Sequence, residues 1–419
     1  MIDIDILRKS PEVVRKTLQD RHMDIDIGRI IQLDEERRRL QKQVDDHRAL
    51  KNKASERIGA AKDSEERKRL IADTKSFDAE QDRLEKKLSA VAADFETAFS
   101  MIPNIPLSDV PIGKDESENK VLRTWGERPK LSFEPKSAQE LGRILNIIDT
   151  ERAGKVSGSR FGYIKGKLAL LQLALVRYAM DTLVPQGFVP VLPPVLIREK
   201  TMRAMGYLDR HADEIYKIEG EDLRLVGTSE QAIIPMHMDE TLDPKVLPIR
   251  YVAYSPCFRR ESGSYGKDTK GILRVHQFDK VEMLAIVAPE MNEEEHQFLL
   301  GIEEKFVQSL ALPYQVLQLC TGDLGGPSAR TFDIECWLPS EKRYRETHSC
   351  STTTDFQTRR LNIRVKGQKF AYALNATLAT GRLLIAILEN YQQPGGTVRI
   401  PEILQKYCGF DEIASLRSP

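Results

Sequence analysis

Cysteine is scarce: Cys257, Cys320, Cys336, Cys350 and Cys408 are the whole supply in 419 residues, and none stands in CxxC spacing. That excludes a disulfide scaffold or a zinc ribbon and leaves free, mostly buried thiols. Net charge is also absent, with 63 basic against 63 acidic side chains, so a polyanion partner must be met by a local patch. Apolar tracts such as Ile164 to Val176 can supply a core, but Lys165, Lys167 and Gln172 interrupt that tract well short of a membrane span. The first residues, Met1-Ile-Asp-Ile-Asp-Ile, carry no basic apolar leader, which makes the cytoplasm the expected compartment. Familiar nucleotide signatures are missing as well. Gly162 to Leu168 is one residue short of a P-loop and ends in Leu where a hydroxyl should hold magnesium, and no GxGxxG follows a strand. A doubly wound nucleotide fold is therefore disfavoured, and a phosphate site would have to be made from side chains.

What is present divides by composition. Residues 28 to about 100 are crowded with charge and contain neither Pro nor Trp. Ile30, Leu33, Leu40, Val44, Ala54 and Ile58 keep alternating steps of three and four, as do Leu70, Thr74, Phe77, Leu84, Leu88, Val91, Phe95 and Ala98. Between these stripes, residues 59–64 offer a turn with Asp63 or Ser64 as N-cap. The pattern predicts an antiparallel two-helix coiled-coil arm about 45 Å long at ~1.5 Å per residue. A dimerisation coiled coil is the commoner use of such heptads, but here each stripe finds its partner within the chain. The outer faces then offer cations such as Arg37, Arg38 and Arg39 to phosphates, or remain a solvated surface. Pro103 and Pro106 end the second helix, giving a division into an N-terminal domain of residues 1–104 and a second domain of residues 105–419.

The second part alternates a buried helix, 168–183, with strand-like runs at 187–196, 250–254, 277–284, 314–319 and 330–337. Several follow one another without a crossover helix, so the fold class is α+β with a mixed, mostly antiparallel sheet flanked by helices. Three clusters carry chemistry. The first is Phe258-Arg259-Arg260-Glu261 with Arg274 to Glu282: a guanidinium fork for phosphate, Phe278 for stacking a base, and Glu282 for an ammonium. In the second, Tyr344 to Ser351, Glu346 and Ser349 form an oxygen pair suited to Mg2+, while His348 reads as a polar neighbour. The third is Asn375-Ala-Thr377 with Gly381-Arg382, where Arg382 opens an apolar helix and needs an anion. Singly, each residue is more simply a salt bridge or a core aromatic.

Together they resemble a known family. Phe258 to Glu261, Gly381-Arg382 and Gly187 to Pro194 resemble the signature motifs of class II aminoacyl-tRNA synthetases. Gly227-Thr-Ser-Glu230, Asp268 to Glu282, Tyr344 to Ser351 and Leu388 to Gln393 narrow the resemblance to bacterial-type seryl-tRNA synthetases, over essentially the whole chain. The resemblance implies a class II catalytic domain with an N-terminal tRNA-binding arm. It implies ATP-dependent activation of serine to the adenylate and transfer to tRNA(Ser), with tRNA(Sec) as a further substrate, by a cytoplasmic homodimer. It assigns Arg259, Arg382 and Glu346 to catalysis, and Thr228, Ser229, Glu230, Arg259, Glu282 and Thr377 to serine. It assigns Arg259, Arg260, Glu261, Val275, Phe278, Glu346, Thr347, His348, Ser349 and Arg382 to ATP, and Glu346 with Ser349 to Mg2+. The sequence departs from the pattern in having one residue fewer between Asn375 and Gly381, Ala376 in place of Gly, and Arg260 and His348 in place of Ser. A non-catalytic paralogue would have lost the charges that grip ATP, all of which remain. A ligase loading a carrier protein would have no use for the arm.

Overall fold

The computed structural model describes residues 1–262 and 271–414, apart from the side chains of 66, 68–77 and 211. The expected stripe members Leu70, Thr74 and Phe77, and the basic loop between Ser262 and Gly271, lie outside those described residues. The chain forms two compact units, residues 2–19 with 23–103 and residues 1, 20–22 and 104–419.

In the first unit, α1 (Ile27–Ala60) and α2 (Ser64–Ser100) form a hairpin. Asp26 caps α1 by accepting from the Arg29 amide, and the Asp63 carboxylate accepts from the Glu65 amide at the start of α2. Leu40 and Val44 meet Leu84, Leu88 and Val91 in a narrow seam. Glu36 pairs with Lys87 and Lys51 with Asp78, which fixes the antiparallel sense. Thirty-four residues of α1 give a length of about 50 Å. The buried Asp34 carboxylate gathers Arg8, Arg37 and Arg38, and Arg37 also lies over Phe95 at 4.7 Å.

The second unit is built on one eight-stranded sheet. Its strands are β1 (Lys120–Trp125), β2 (Val189–Val191), β3 (Ile249–Phe258), β4 (Gln277–Val287), β5 (Tyr314–Gln318), β6 (Arg330–Leu338), β7 (Arg343–Thr354) and β8 (Tyr372–Thr380). The spatial order is β1-β5-β6-β7-β8-β4-β3-β2, antiparallel throughout except for β2 beside β3. The interrupted strand expected at 187–196 is thus two strands, since Leu196–Arg198 pairs instead with Leu223–Leu225 in a separate ribbon. Helices α3 (Gly166–Leu183), α4 (Asn292–Ser309) and α5 (Gly381–Asn390) contribute Leu168, Leu171, Leu299, Phe306, Leu383 and Leu384 to the main core, where Val281, Met283, Ile334 and Cys350 stand for the sheet. By length and composition alone α3 could cross a membrane, but its Leu168, Leu171, Leu175 and Leu183 are fully packed within this core. All five cysteines are free, four of them buried.

Candidate active site

Part of the sheet's other face is polar and floors a cavity of about 560 Å³, within the usual range for small-molecule sites, while Ala253, Leu284, Ile286 and Ala373 on that face pack into a second apolar cluster. Strand alternation explains part of this: Ile334, Cys336 and Leu338 enter the core, which leaves Asp333 and Glu335 on the opposite face. A bulge supplies the rest. Ser349 pairs with Asp333 but Glu346 pairs with Glu335, so Thr347 is the extra residue between them. Without it, residues three apart would point to opposite faces; with it, Glu346 and Ser349 both line the cavity.

Arg259 and Arg382, 123 positions apart in sequence, line this one cavity. Arg259 leaves the end of β3, donates from Nε to the Gly227 carbonyl at 3.2 Å and lies 5.2 Å over the Phe278 ring. Glu261 follows with φ of 53° and pairs with Arg274 at 2.9 Å. Arg382 sits in the first turn of α5, where Thr380 caps the helix, and its Nη1 reaches Glu346 Oε2 at 2.8 Å. Enclosure pushes the Glu346 carboxyl up, but Arg382, with Arg259 and Arg274, outweighs that and holds it below the usual range. A charged Glu346 beside the Ser349 hydroxyl suits Mg2+, which keeps several waters and shares phosphate oxygens. Among the described residues no group of three or more His, Cys, Asp or Glu side chains could hold a metal ion.

Glu282 is differently equipped from what its sequence position suggests. It is 1% exposed, faces Thr377 across β4 and β8, and its Oε1 is 2.6 Å from Lys280 Nζ. Its Oε2 accepts from the Thr228 and Ser229 hydroxyls and from the Glu230 amide. Burial pushes this carboxyl up, and Lys280 with the two hydroxyls brings it below its ordinary value. The adjacent Glu230 accepts from the Tyr207 hydroxyl at 2.6 Å, Gln357 Nε2 at 2.8 Å and Asn375 Nδ2 at 2.9 Å. Burial, reinforced by Glu282, raises its pKa.

The cavity wall therefore includes Thr228, Glu230, Arg259, Glu261, Val275, Phe278, Glu282, Glu346, Thr347, Ser349, Thr377 and Arg382. Three expected residues stand off it. Ser229 is fully buried, with its hydroxyl spent on Glu282. Arg260 is exposed outside the cavity, where its backbone amide donates to the Glu214 carbonyl. His348 pairs with Ile334, on the core side of β7, and bonds the Leu378 carbonyl at 3.0 Å and Thr347 Oγ1 at 2.8 Å. Its burial lowers the imidazole pKa to about 4, so it is neutral at physiological pH. Lys280, Arg274, Tyr207 and Gln357 were given no role from sequence. Only Lys280 left a signal, lying two residues before Glu282 on the same strand face.

The comparisons agree with this geometry. Residues 215–391 match the tRNA synthetase class II core domain (G, H, P, S and T), and residues 1–106 match the seryl-tRNA synthetase N-terminal domain. A serine–tRNA ligase of Thermodesulfovibrio yellowstonii is 43% identical over 99% of this chain and 100% of its own length. The seryl-tRNA synthetase of Pyrococcus horikoshii, solved in complex with ATP, superposes with a TM-score of 0.89 at 38% identity over 100% of both chains. The cytoplasmic serine–tRNA ligase of Naegleria fowleri, in complex with AMP, gives 0.85 at 30% identity, covering 100% of this chain and 99% of its own. With a class II core and a seryl-specific N-terminal domain on one chain, and serine–tRNA ligases as relatives over their full lengths, this chain belongs to the seryl-tRNA synthetase family.

Proposed function

We propose that this chain activates L-serine with ATP at the cavity described above and passes the seryl group to tRNA(Ser), with tRNA(Sec) as a second acceptor. The observation that carries the site assignment is the convergence of Arg259, Glu346 and Arg382 on one wall with Thr228, Glu282 and Thr377 beside them. Adenine stacks on Phe278 next to Val275, Arg259 grips the α-phosphate and Arg382 the far phosphates. Mg2+ held by Glu346 and Ser349 would neutralise phosphate charge. The serine ammonium approaches Glu282 and Thr228, sharing the carboxylate with Lys280, and Thr377 stands beside the side chain.

The serine carboxylate attacks the α-phosphorus in line. A carboxylate oxygen–phosphorus bond forms, the bond to the β-phosphate oxygen breaks, and pyrophosphate leaves with that electron pair. No protein nucleophile takes part; Arg259 and Arg382 lower the barrier by facing the charge that develops on the phosphoryl oxygens. In the second step the terminal ribose hydroxyl of tRNA attacks the acyl carbon and AMP departs. We assign residues 1–104 to holding that tRNA and residues 105–419 to the chemistry. The hairpin's exposed Arg and Lys side chains suit RNA recognised by shape and backbone.

A second copy of the chain completes the reading. Leu170 and Leu173 on α3 are 50% and 57% exposed, and Val189 and Leu192 at and after β2 are 53% and 78% exposed. Such apolar side chains along a helix and an edge strand suit a symmetric homodimer contact. The compartment consistent with these substrates is the cytoplasm. Pyrophosphate exchange across a panel of amino acids tests the assignment: exchange is expected with serine and lost in Arg259→Ala, while exchange with another amino acid and none with serine overturns it.

A further inference from the structure

The chain from Met205 to Arg210 runs beside the groups that surround Glu230. Tyr207 donates to Glu230 at 2.6 Å, and the Met205 carbonyl accepts from Gln357 Nε2 at 3.4 Å. A Cβ on Gly206 would stand 3.4 Å from Pro327, a residue of the cavity wall. The short helix Leu208–His211 then brings Arg210 to the neighbouring wall residue Gly326: Nη1 lies 3.9 Å from the point that a Cβ on Gly326 would occupy. Gly326 is not left-handed, so the backbone does not require glycine there; the missing side chain keeps the space beside the guanidinium clear.

Arg210 is half-buried, yet it makes no hydrogen bond or ion pair among the described residues. The acids next to it in the chain are already committed. Asp209 pairs with Arg360 at 2.5 Å and Arg203 at 3.4 Å, while Asp213 and Glu214 accept from the Ser262 hydroxyl at 2.9 and 2.6 Å. A second cation stands near. Arg21, 5% exposed, donates to the Asn104, Leu324 and Gly325 carbonyls at 2.6 to 2.8 Å, and burial together with the Arg210 charge lowers it to about 9. Burial lowers Arg210 as well. Two partly desolvated guanidiniums without a carboxylate are costly in the free protein and suit an anion that arrives with a substrate.

We infer that Arg210 receives a backbone phosphate of the tRNA acceptor end as the terminal ribose enters the cavity. This contact rests on the ligase reading proposed above and adds to it a residue outside those given to serine, ATP and Mg2+. The triphosphate already has Arg259 and Arg382. Once pyrophosphate has left, the polyanion still to arrive is the single-stranded end of the tRNA. A guanidinium holds a phosphodiester through paired donors whatever the base, so Arg210 fixes the position of the strand and reads no sequence.

The experiment compares the full chain with Arg210→Met and Arg210→Lys in serine-dependent pyrophosphate exchange and in aminoacylation of a tRNA(Ser) transcript. Exchange and its KM for pyrophosphate should stay within about twofold of wild type, whereas kcat/KM for tRNA should fall about tenfold in Arg210→Met, the loss of one charge-assisted contact. Arg210→Lys should recover part of it. The slope of log tRNA affinity against log salt should shrink by about 0.7 in Arg210→Met, as for one phosphate of a single strand. Because the cation has no partner in the free protein, the urea midpoint of Arg210→Met should be no lower than that of wild type. An unchanged tRNA kcat/KM and salt slope would overturn the contact. So would a raised pyrophosphate KM with tRNA unaffected, which assigns the charge to the small anion, or a joint fall of exchange and urea midpoint, which makes Arg210 structural. Absence of serine exchange in the wild type would instead overturn the ligase reading, and this contact with it.

Discussion

The Lys280–Glu282 pair supports a specific perturbation. At 2.6 Å and an effective dielectric of ~20, the gross attraction is about 6 kcal/mol. Much of that offsets the desolvation of two groups that are both under a tenth exposed, and Lys280→Met leaves Glu282 a buried charge without its cation. A stability loss of about 3 to 5 kcal/mol at neutral pH is expected from breaking such a pair. The pH dependence should also change sign. In the wild type the Glu282 pKa lies below its ordinary 4.5, so its contribution is present above that value and is lost as pH falls through the folded pKa. In the variant, burial without Lys280 raises the pKa above 4.5, so the native state binds more protons than the unfolded chain. Stability then falls as pH rises through that window. Serine binding should follow: a neutral Glu282 holds an ammonium poorly, so the serine KM of Lys280→Met should drop as pH increases while the ATP KM stays level. Urea unfolding at several pH values and exchange kinetics measure both. A variant with wild-type stability and a flat serine KM would refute the account of this pair.

Other outcomes follow from separate parts of the molecule. Deleting residues 30–98 should leave adenylate formation intact and abolish transfer to tRNA, measured by exchange and aminoacylation side by side. His296 and His348 are buried and neutral, each with a pKa lowered from 6.5 to about 4 by burial, so each should forfeit up to about 3 kcal/mol as pH falls from 6.5 toward 4. Denaturant midpoints across that range should show the slope, and a pH-independent midpoint would contradict it. Leu173→Asp, which charges an apolar side chain 57% exposed on α3, should convert the proposed homodimer to monomer in sedimentation velocity, and an unchanged oligomeric state would contradict that contact.

How far the sequence could be read depended on whether its signal was periodic. The heptad stripes placed both hairpin helices and their turn, because a buried seam must repeat every three and four residues whatever surrounds it. Ala54 and Ile58, the stripe members nearest the tip on α1, are half-buried. The charged clusters named Arg259, Glu346 and Arg382, because buried or clustered charges demand partners. Parity was not legible. Ser229 and His348 have suitable chemistry but face inward, and a motif read as a string gives no face.

The amino-acid sequence by itself determined the antiparallel character of the sheet, the hairpin arm and the set of charged groups available for chemistry, because these depend on local pattern and composition. Tertiary structure alone decided which of them act together. One extra residue at Thr347 brings Glu346 and Ser349 to the same face, and long-range packing sets Thr228 against Glu282 and Asn375 against Glu230. Such register shifts come from the competition among long-range strand pairings, and no local pattern in the chain encodes its outcome.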